Sequence, residues 1–221
     1  MSSNAKNETG FGPDDVDLIK RERVFSGYFA VDRLQLRHRR HDGAWTQPIQ
    51  REVFMSGDAV VVLPYDPVLD NVVLIEQFRA GPYANTNGAD AQDAWLIETI
   101  AGRFEPDEAP EEVARREAIE EAGCHLEKFF PMGVFYQSPG CIAEKIHYFC
   151  AITDSSGLGG LHGCDHEDED IRVIVMPRQS ALEAISTGRI CNITLAFALQ
   201  WLELNRDCLV RDSGLLAPGS T

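Results

Sequence analysis

Three glutamates, Glu117, Glu120 and Glu121, fall within two turns of what should be a single helix. Residues three and four apart share a helix face, so Glu117 and Glu121 stack and Glu120 sits beside them. Like charges at that spacing destabilise an isolated helix by roughly 0.2–0.5 kcal/mol per pair. The chemistry that compensates such a cluster is cation binding. All-carboxylate ligation suits a hard divalent cation, Mg²⁺ or Mn²⁺, better than zinc. The competing reading is a solvated acidic helix, because a charge run is usually a wet face.

The flanking residues favour the cation. Pro110 suits a first helical turn, where its missing N–H costs little. Asp107, Glu108, Glu111 and Glu112 place negative charge near the positive end of the helix dipole. Gly123 is placed to end the helix in a left-handed cap. Ala114, Ala118 and Ala122 recur every four residues and would let the helix backbone lie close to a sheet. Arg116 is a cation placed to orient a neighbouring carboxylate.

The rest of the chain must hold that helix. Residues 1–15 are predicted to be a disordered tail, 16–56 a small N-terminal β module, 57–210 the main domain and 211–221 a second tail. In the module, Val24–Val31, Arg33–His38 and Ile49–Phe54 read as strands. Ala59–Leu63 and Val72–Phe78 read as a hairpin of buried strands, and 81–92 as a long loop rich in turn residues. Trp95–Ile100 is a short apolar strand running into Gly102. Further strands are expected at about 129–137, 145–151 and 170–176. A short helix is expected over Ser180–Ser186. Asn192 should cap a last helix from Ile193 to about Leu204, with Ile193, Leu195, Phe197, Leu199 and Leu202 on its apolar face. The elements do not alternate as βαβ, which predicts an α+β fold.

Composition limits the partners. The hydrophobic fraction of 44% is ordinary for a globular protein. No apolar stretch is long enough for a membrane span, and no apolar leader opens the chain. The six cysteines are scattered without a C-x-x-C pair, which predicts reduced thiols and a cytoplasmic protein. A net charge of −15 argues against nucleic acid or an anionic membrane as partner, but not against a small anion held through cations.

Other residues could join the chemistry. The acidic segment 161–172 precedes a strand and could carry a carboxylate that closes over a substrate, and either Glu167 or Glu169 could reach. Its alternatives are a plain solvated loop, or zinc at His162, Cys164 and His166, whose spacing fits no common zinc pattern. Arg79 ends a buried strand and suits either a phosphate grip or a surface salt bridge. Tyr28 or Phe29 could stack on a base, although strand packing is the plainer reading. Ser138 lies in a Ser-Pro-Gly turn. The basic run at 37–41 should split between two strand faces.

Gly102, five residues, Glu108, seven residues, Arg116-Glu117, then Glu120-Glu121 and Gly123 resembles the Nudix box. Seven identities make a chance match at one start point on the order of 10⁻⁸ to 10⁻⁹. The positions after Arg-Glu and after the last Gly are apolar in that pattern, and here they hold the small residues Ala118 and Cys124. VLIEQFR (73–79), WLIETIAGRFE (95–105), YQSPG (136–140), EDEDIRV (167–173) and NITLAFALQWL (192–202) extend the likeness to bacterial Nudix hydrolases acting on ADP-ribose. The resemblance implies an α/β/α sandwich with an N-terminal β module swapped between the two chains of a homodimer. It implies Mg²⁺, with Mn²⁺ able to substitute, held by Glu117, Glu121, the Ala101 carbonyl and, with substrate bound, Glu169. It implies Glu167 as general base, with Glu120 and Arg116 in the catalytic group. Tyr28, Arg51 donated by the other chain, Arg79, Glu98 and Ser138 would bind the substrate. That substrate would be a nucleoside diphosphate sugar, cleaved at the pyrophosphate to AMP and ribose 5-phosphate in the case of ADP-ribose. GDP-mannose hydrolases share the layout, and a non-catalytic ADP-ribose sensor is the remaining alternative. The intact glutamates argue against the sensor.

Overall fold

The computed structural model describes residues 10–86, 94–104, 107–164 and 168–214. The chain divides into two compact units, Met1–Gly57 with Tyr136–Glu144, and Asp58–Phe135 with Lys145–Thr221.

The first unit is built on a three-stranded antiparallel sheet, β1 (Val16–Ser26), β2 (Ala30–His38) and β3 (Ile49–Met55), in that order. Before β1, Pro13–Asp15 form a 3-10 turn whose preceding Gly12 amide donates to the Asp15 carboxylate, so ordered structure starts earlier than the predicted tail boundary. The strand expected over Val24–Val31 is instead the corner of the β1–β2 hairpin. Ser26 pairs with Ala30, and the Gly27 amide donates to the Phe29 carbonyl at 2.8 Å. Aromatic and β-branched residues on both sides of Gly27 favour strand and hide the turn. Phe54 of β3 exchanges backbone hydrogen bonds with Cys141 and Ala143, which ties 136–144 to this sheet.

The second unit is a mixed eight-stranded sheet between helices. Its strands are β4 (Ala59–Asp66), β5 (Asn71–Phe78), β6 (Trp95–Glu98), β7 (Ile100–Arg103), β8 (Phe129–Tyr136), β9 (Lys145–Ile152), β10 (Gly160–His162) and β11 (Ile171–Pro177). The order is β10-β11-β5-β4-β9-β8, with β6 paired to β5 and β7 to β4. Side chains alternate across strands. In β4 and β5, Val60, Val62, Val73 and Ile75 therefore face helix α2 (Pro110–Ala122). Leu63, Tyr65, Val72 and Leu74 face the opposite layer, where Leu195, Leu199 and Leu202 of α4 (Ile193–Ser213) are buried. The α+β sandwich expected from the sequence is present.

Several elements differ from expectation. The predicted hairpin of β4 and β5 is paired only at Tyr65–Val72 and Asp66–Asn71. Beyond that the two strands separate. The single strand expected over Trp95–Ile100 breaks at the buried Thr99, so β6 runs along β5 and β7 along β4. Consecutive apolar residues do not reveal where a chain changes partner. The predicted loop 81–92 begins with a short helix, α1 (Ala80–Asn85), and residues 87–93 lie outside the described residues. Helix α3 (Arg178–Ser186) starts two residues earlier than expected, where Arg178 bonds both carboxylate oxygens of Asp70. Helix α4 passes its predicted end and the predicted tail boundary at 211. It buries Leu209 and stops at Gly214, whose φ of 74° is left-handed. Ile193, placed on its apolar face by the pattern, is exposed at the first helical position.

Candidate active site

Helix α2 forms as its sequence demands. Pro110 opens it, the Glu112 carboxylate accepts from the Ala109 amide at 3.0 Å, and Gly123 closes it with φ 59° and ψ 23°. Val113, Ala114, Ala118 and Ala122 are buried against the sheet. These small side chains let the helix lie close, and the close approach presses its glutamates onto β7. A Cβ built on Gly102 would fall inside the Glu117 carboxylate, so a side chain there would displace that glutamate. Glu121 is 2% exposed, and one of its oxygens accepts from the Ala101 amide at 3.1 Å.

Arg116 organises the outer carboxylates. It donates to both oxygens of Glu108 (3.2 and 3.3 Å), to Glu117 at 2.8 Å and to Glu120 at 3.1 Å. It also donates to the Arg103 carbonyl at 3.3 Å. This is the orienting role expected of Arg116, and Glu108 is its principal anchor. Just after β5, Arg79 Nε donates to Glu98 of β6 at 2.8 Å, and Gln77 of β5 donates to the same carboxylate oxygen at 3.3 Å. Gln77 is buried and was not singled out from the sequence. An amide inside an otherwise apolar strand was the signal available, because a buried polar side chain needs a partner.

Burial pushes the Glu117 carboxyl up to about 7. The Arg116 charge opposes this, while Glu120 and Glu169 add to it. Burial likewise raises Glu121 well above the usual carboxylate range, against the Ala101 amide and Arg79, with Glu117 and Glu169 adding. Glu169 therefore bears electrostatically on both helix carboxylates. The structure brings Arg79, Glu98, Ala101, Arg116, Glu117, Glu120, Glu121 and Glu169 together within the second unit. Tyr28, Arg51 and Ser138 belong to the first unit. Tyr28 is 88% exposed, with its ring edge-on to Phe29 at 4.9 Å. Arg51 donates to the Gln50 carbonyl. Ser138 closes a turn whose carbonyl accepts from Cys141 and Ile142. Glu167 and His166 lie outside the described residues. His162 Nε2 faces the Gly159 carbonyl at 3.1 Å.

The donor set fits a hard divalent cation. The buried Glu121 and the half-buried Glu117 are driven toward their protonated forms, and a cation would reverse that. Among the described residues no three acidic, histidine or cysteine side chains are already gathered as a ligand shell. Arg116 and the Ala101 amide hold the carboxylate oxygens instead.

A glutamate helix pressed on the glycine of a split mixed sheet is the arrangement of one family of domains. The chain belongs to the NUDIX domain family, whose model matches residues 55–190. Among its relatives is the ADP-ribose pyrophosphatase of Escherichia coli (strain K12), 41% identical over 199 residues, which span 90% of this chain and 93% of that one. The ADP-ribose pyrophosphatase of Haemophilus influenzae is 37% identical over 195 residues, 88% and 89% of the two chains. A GDP-mannose pyrophosphatase of Escherichia coli O1:K1 is 35% identical over 190 residues, 86% and 96% of the two chains. A crystal structure of an ADP compounds hydrolase superposes with a TM-score of 0.65 at 18% identity, covering 91% of this chain and 97% of that one, and shares the fold.

Proposed function

We propose that this chain is a Nudix pyrophosphohydrolase that cleaves ADP-ribose to AMP and ribose 5-phosphate. The observation that carries the reading is the buried Glu121 with the half-buried Glu117 beside Gly102 and Arg116, in a chain 41% identical to an ADP-ribose pyrophosphatase. Glu117, Glu121 and the Ala101 carbonyl would hold Mg²⁺, joined by Glu169 when substrate is bound, with Mn²⁺ able to replace it. Bound there, the cation would neutralise charge on the pyrophosphate and lower the pKa of water. Arg116 keeps the helix carboxylates oriented through Glu108. Arg79 uses Nε on Glu98 and has further guanidinium nitrogens for a phosphate oxygen. Glu167 takes the proton of the attacking water. The water oxygen bonds to one phosphorus as the bridging P–O bond breaks. Tyr28 stacks on the adenine, Arg51 is contributed by a second chain, and Ser138 lies at the substrate. The working protein is a cytoplasmic homodimer with the chain organised as 16–56 and 57–210. Among the described residues no helix is long and apolar enough to cross a membrane.

The GDP-mannose pyrophosphatase at 35% identity supports a second reading, hydrolysis of another nucleoside diphosphate sugar. A panel of ADP-ribose, GDP-mannose and related sugar nucleotides, assayed by phosphatase-coupled phosphate release with and without Mg²⁺, tests both. ADP-ribose should have the highest kcat/KM, with no turnover in chelator. Preference for GDP-mannose would replace the first reading with the second.

A further inference from the structure

The step His162–Gly163, at the end of β10 and before the acidic stretch that leads to β11, touches both halves of the carboxylate cluster. On one side lies the end of α2. The His162 ring sits over Gly123, where a Cβ would come within 3.0 Å of its Cε1. His162 Nε2 is held against the Gly159 carbonyl at 3.1 Å, which fixes the ring in place. The next residue, Gly163, donates its amide to the carbonyl of Glu120 at 3.4 Å.

On the other side lies Glu169. Gly163 has φ 110°, which side-chain-bearing residues rarely adopt, and a Cβ there would come within 2.6 Å of the Glu169 carbonyl oxygen. The Glu169 amide in turn donates to the Cys164 carbonyl at 3.4 Å. One two-residue step thus packs against the helix end that carries Glu120 and Glu121, and against the backbone that carries Glu169. Without it, nothing in the pairing of β10 with β11, which ends at His162–Ile171, would set Glu169 at a given distance from the helix.

We infer that His162 and Gly163 form a clasp that positions Glu169 relative to Glu117 and Glu121, and so tune the cation site. They are positioning residues and touch no reacting atom. The inference rests on the proposed cation site. Its test is a double-mutant cycle of Gly163→Ala with Glu169→Gln, read by Mn²⁺ binding to the metal-free protein with and without a non-hydrolysable ADP-ribose analogue (paramagnetic resonance of free Mn²⁺) and by kcat and KM for ADP-ribose.

Gly163→Ala should weaken Mn²⁺ binding in the presence of the analogue and lower kcat by about tenfold, the low end for residues that orient metal ligands, with little change in KM. In the Glu169→Gln background the same substitution should have almost no further effect. A merely structural role would instead give losses that add in both backgrounds, and additive losses overturn the clasp. If Gly163→Ala does not fold, His162→Ala goes through the same cycle with the same two outcomes. A wild-type protein that binds Mn²⁺ but hydrolyses no ADP-ribose overturns the functional reading alone, and the Mn²⁺ cycle still decides the clasp. A wild-type protein that binds no Mn²⁺ overturns both.

Discussion

Glu117→Gln should make the metal-free protein more stable at alkaline pH. Glu117 has its carboxyl raised from 4.5 to about 7, first by burial, and its side chain is only 15% exposed. A group whose folded pKa is raised contributes stability that is complete below the unfolded pKa and is lost as pH rises through the folded one. The shift of roughly 2.5 units, at about 1.4 kcal/mol each, amounts to about 3 kcal/mol in full. About 2 kcal/mol of this falls between pH ~5.5 and pH ~8. Glutamine keeps the shape over Gly102 and carries no charge. Arg116 retains Glu108 and Glu120. Urea unfolding of wild type and variant in chelator, across that pH range, measures the effect. Asp66, Asp70 and Glu76 have lowered pKa values and work in the opposite direction. They cancel in the difference between the two proteins. The variant's advantage should grow by about 2 kcal/mol as pH rises over this range. Adding Mg²⁺ at pH ~8 should stabilise wild type and leave the variant little changed. A difference that stays flat with pH, or a variant less stable than wild type at pH ~8 in chelator, would refute the reasoning.

Gly102→Ala should lower kcat by about 100-fold or more, because the new Cβ displaces the Glu117 carboxylate; circular dichroism and steady-state kinetics read fold and rate separately. Glu167→Gln should lower kcat by ~10²–10⁴ with little change in KM and no rescue by added Mg²⁺, whereas Glu169→Gln should be partly rescued. The reverse pattern of rescue would exchange the two roles. Mixing Arg51→Ala chains with Glu121→Gln chains should recover part of the activity if each site draws on two chains, and sedimentation showing only monomer at micromolar concentration would rule this out.

Much of the site was legible in the sequence because it lies on one helix. The three- and four-residue spacing of Glu117, Glu120 and Glu121, the Ala114–Ala118–Ala122 stripe and the Gly123 cap are local, and helical geometry converts them directly into one face and one end. The likeness of the flanking segments pointed to Arg79, Glu98 and Ala101, and the structure gathers them around that face. The strand pattern also marked β5, β9 and β11 close to their observed limits and stopped β4 three residues short of Asp66, since runs of buried residues carry that information themselves and Pro64 reads as a turn.

What the sequence did not disclose depends on partners distant along the chain. The break at Thr99 exists because β6 and β7 choose different neighbours, and nothing local encodes a choice between β5 and β4. The extension of α4 to Ser213 depends on Leu209 finding the core under β4 and β9. Gln77 became a site residue only when folding buried it beside Glu98, and Gly163 only when Glu169 came against it. The sequence alone determined that a helix would carry clustered carboxylates. Tertiary packing decided that Glu121 would lose its water and Glu117 most of it, because burial, and with it the rise in their pKa values, depends on how closely the helix lies on Gly102.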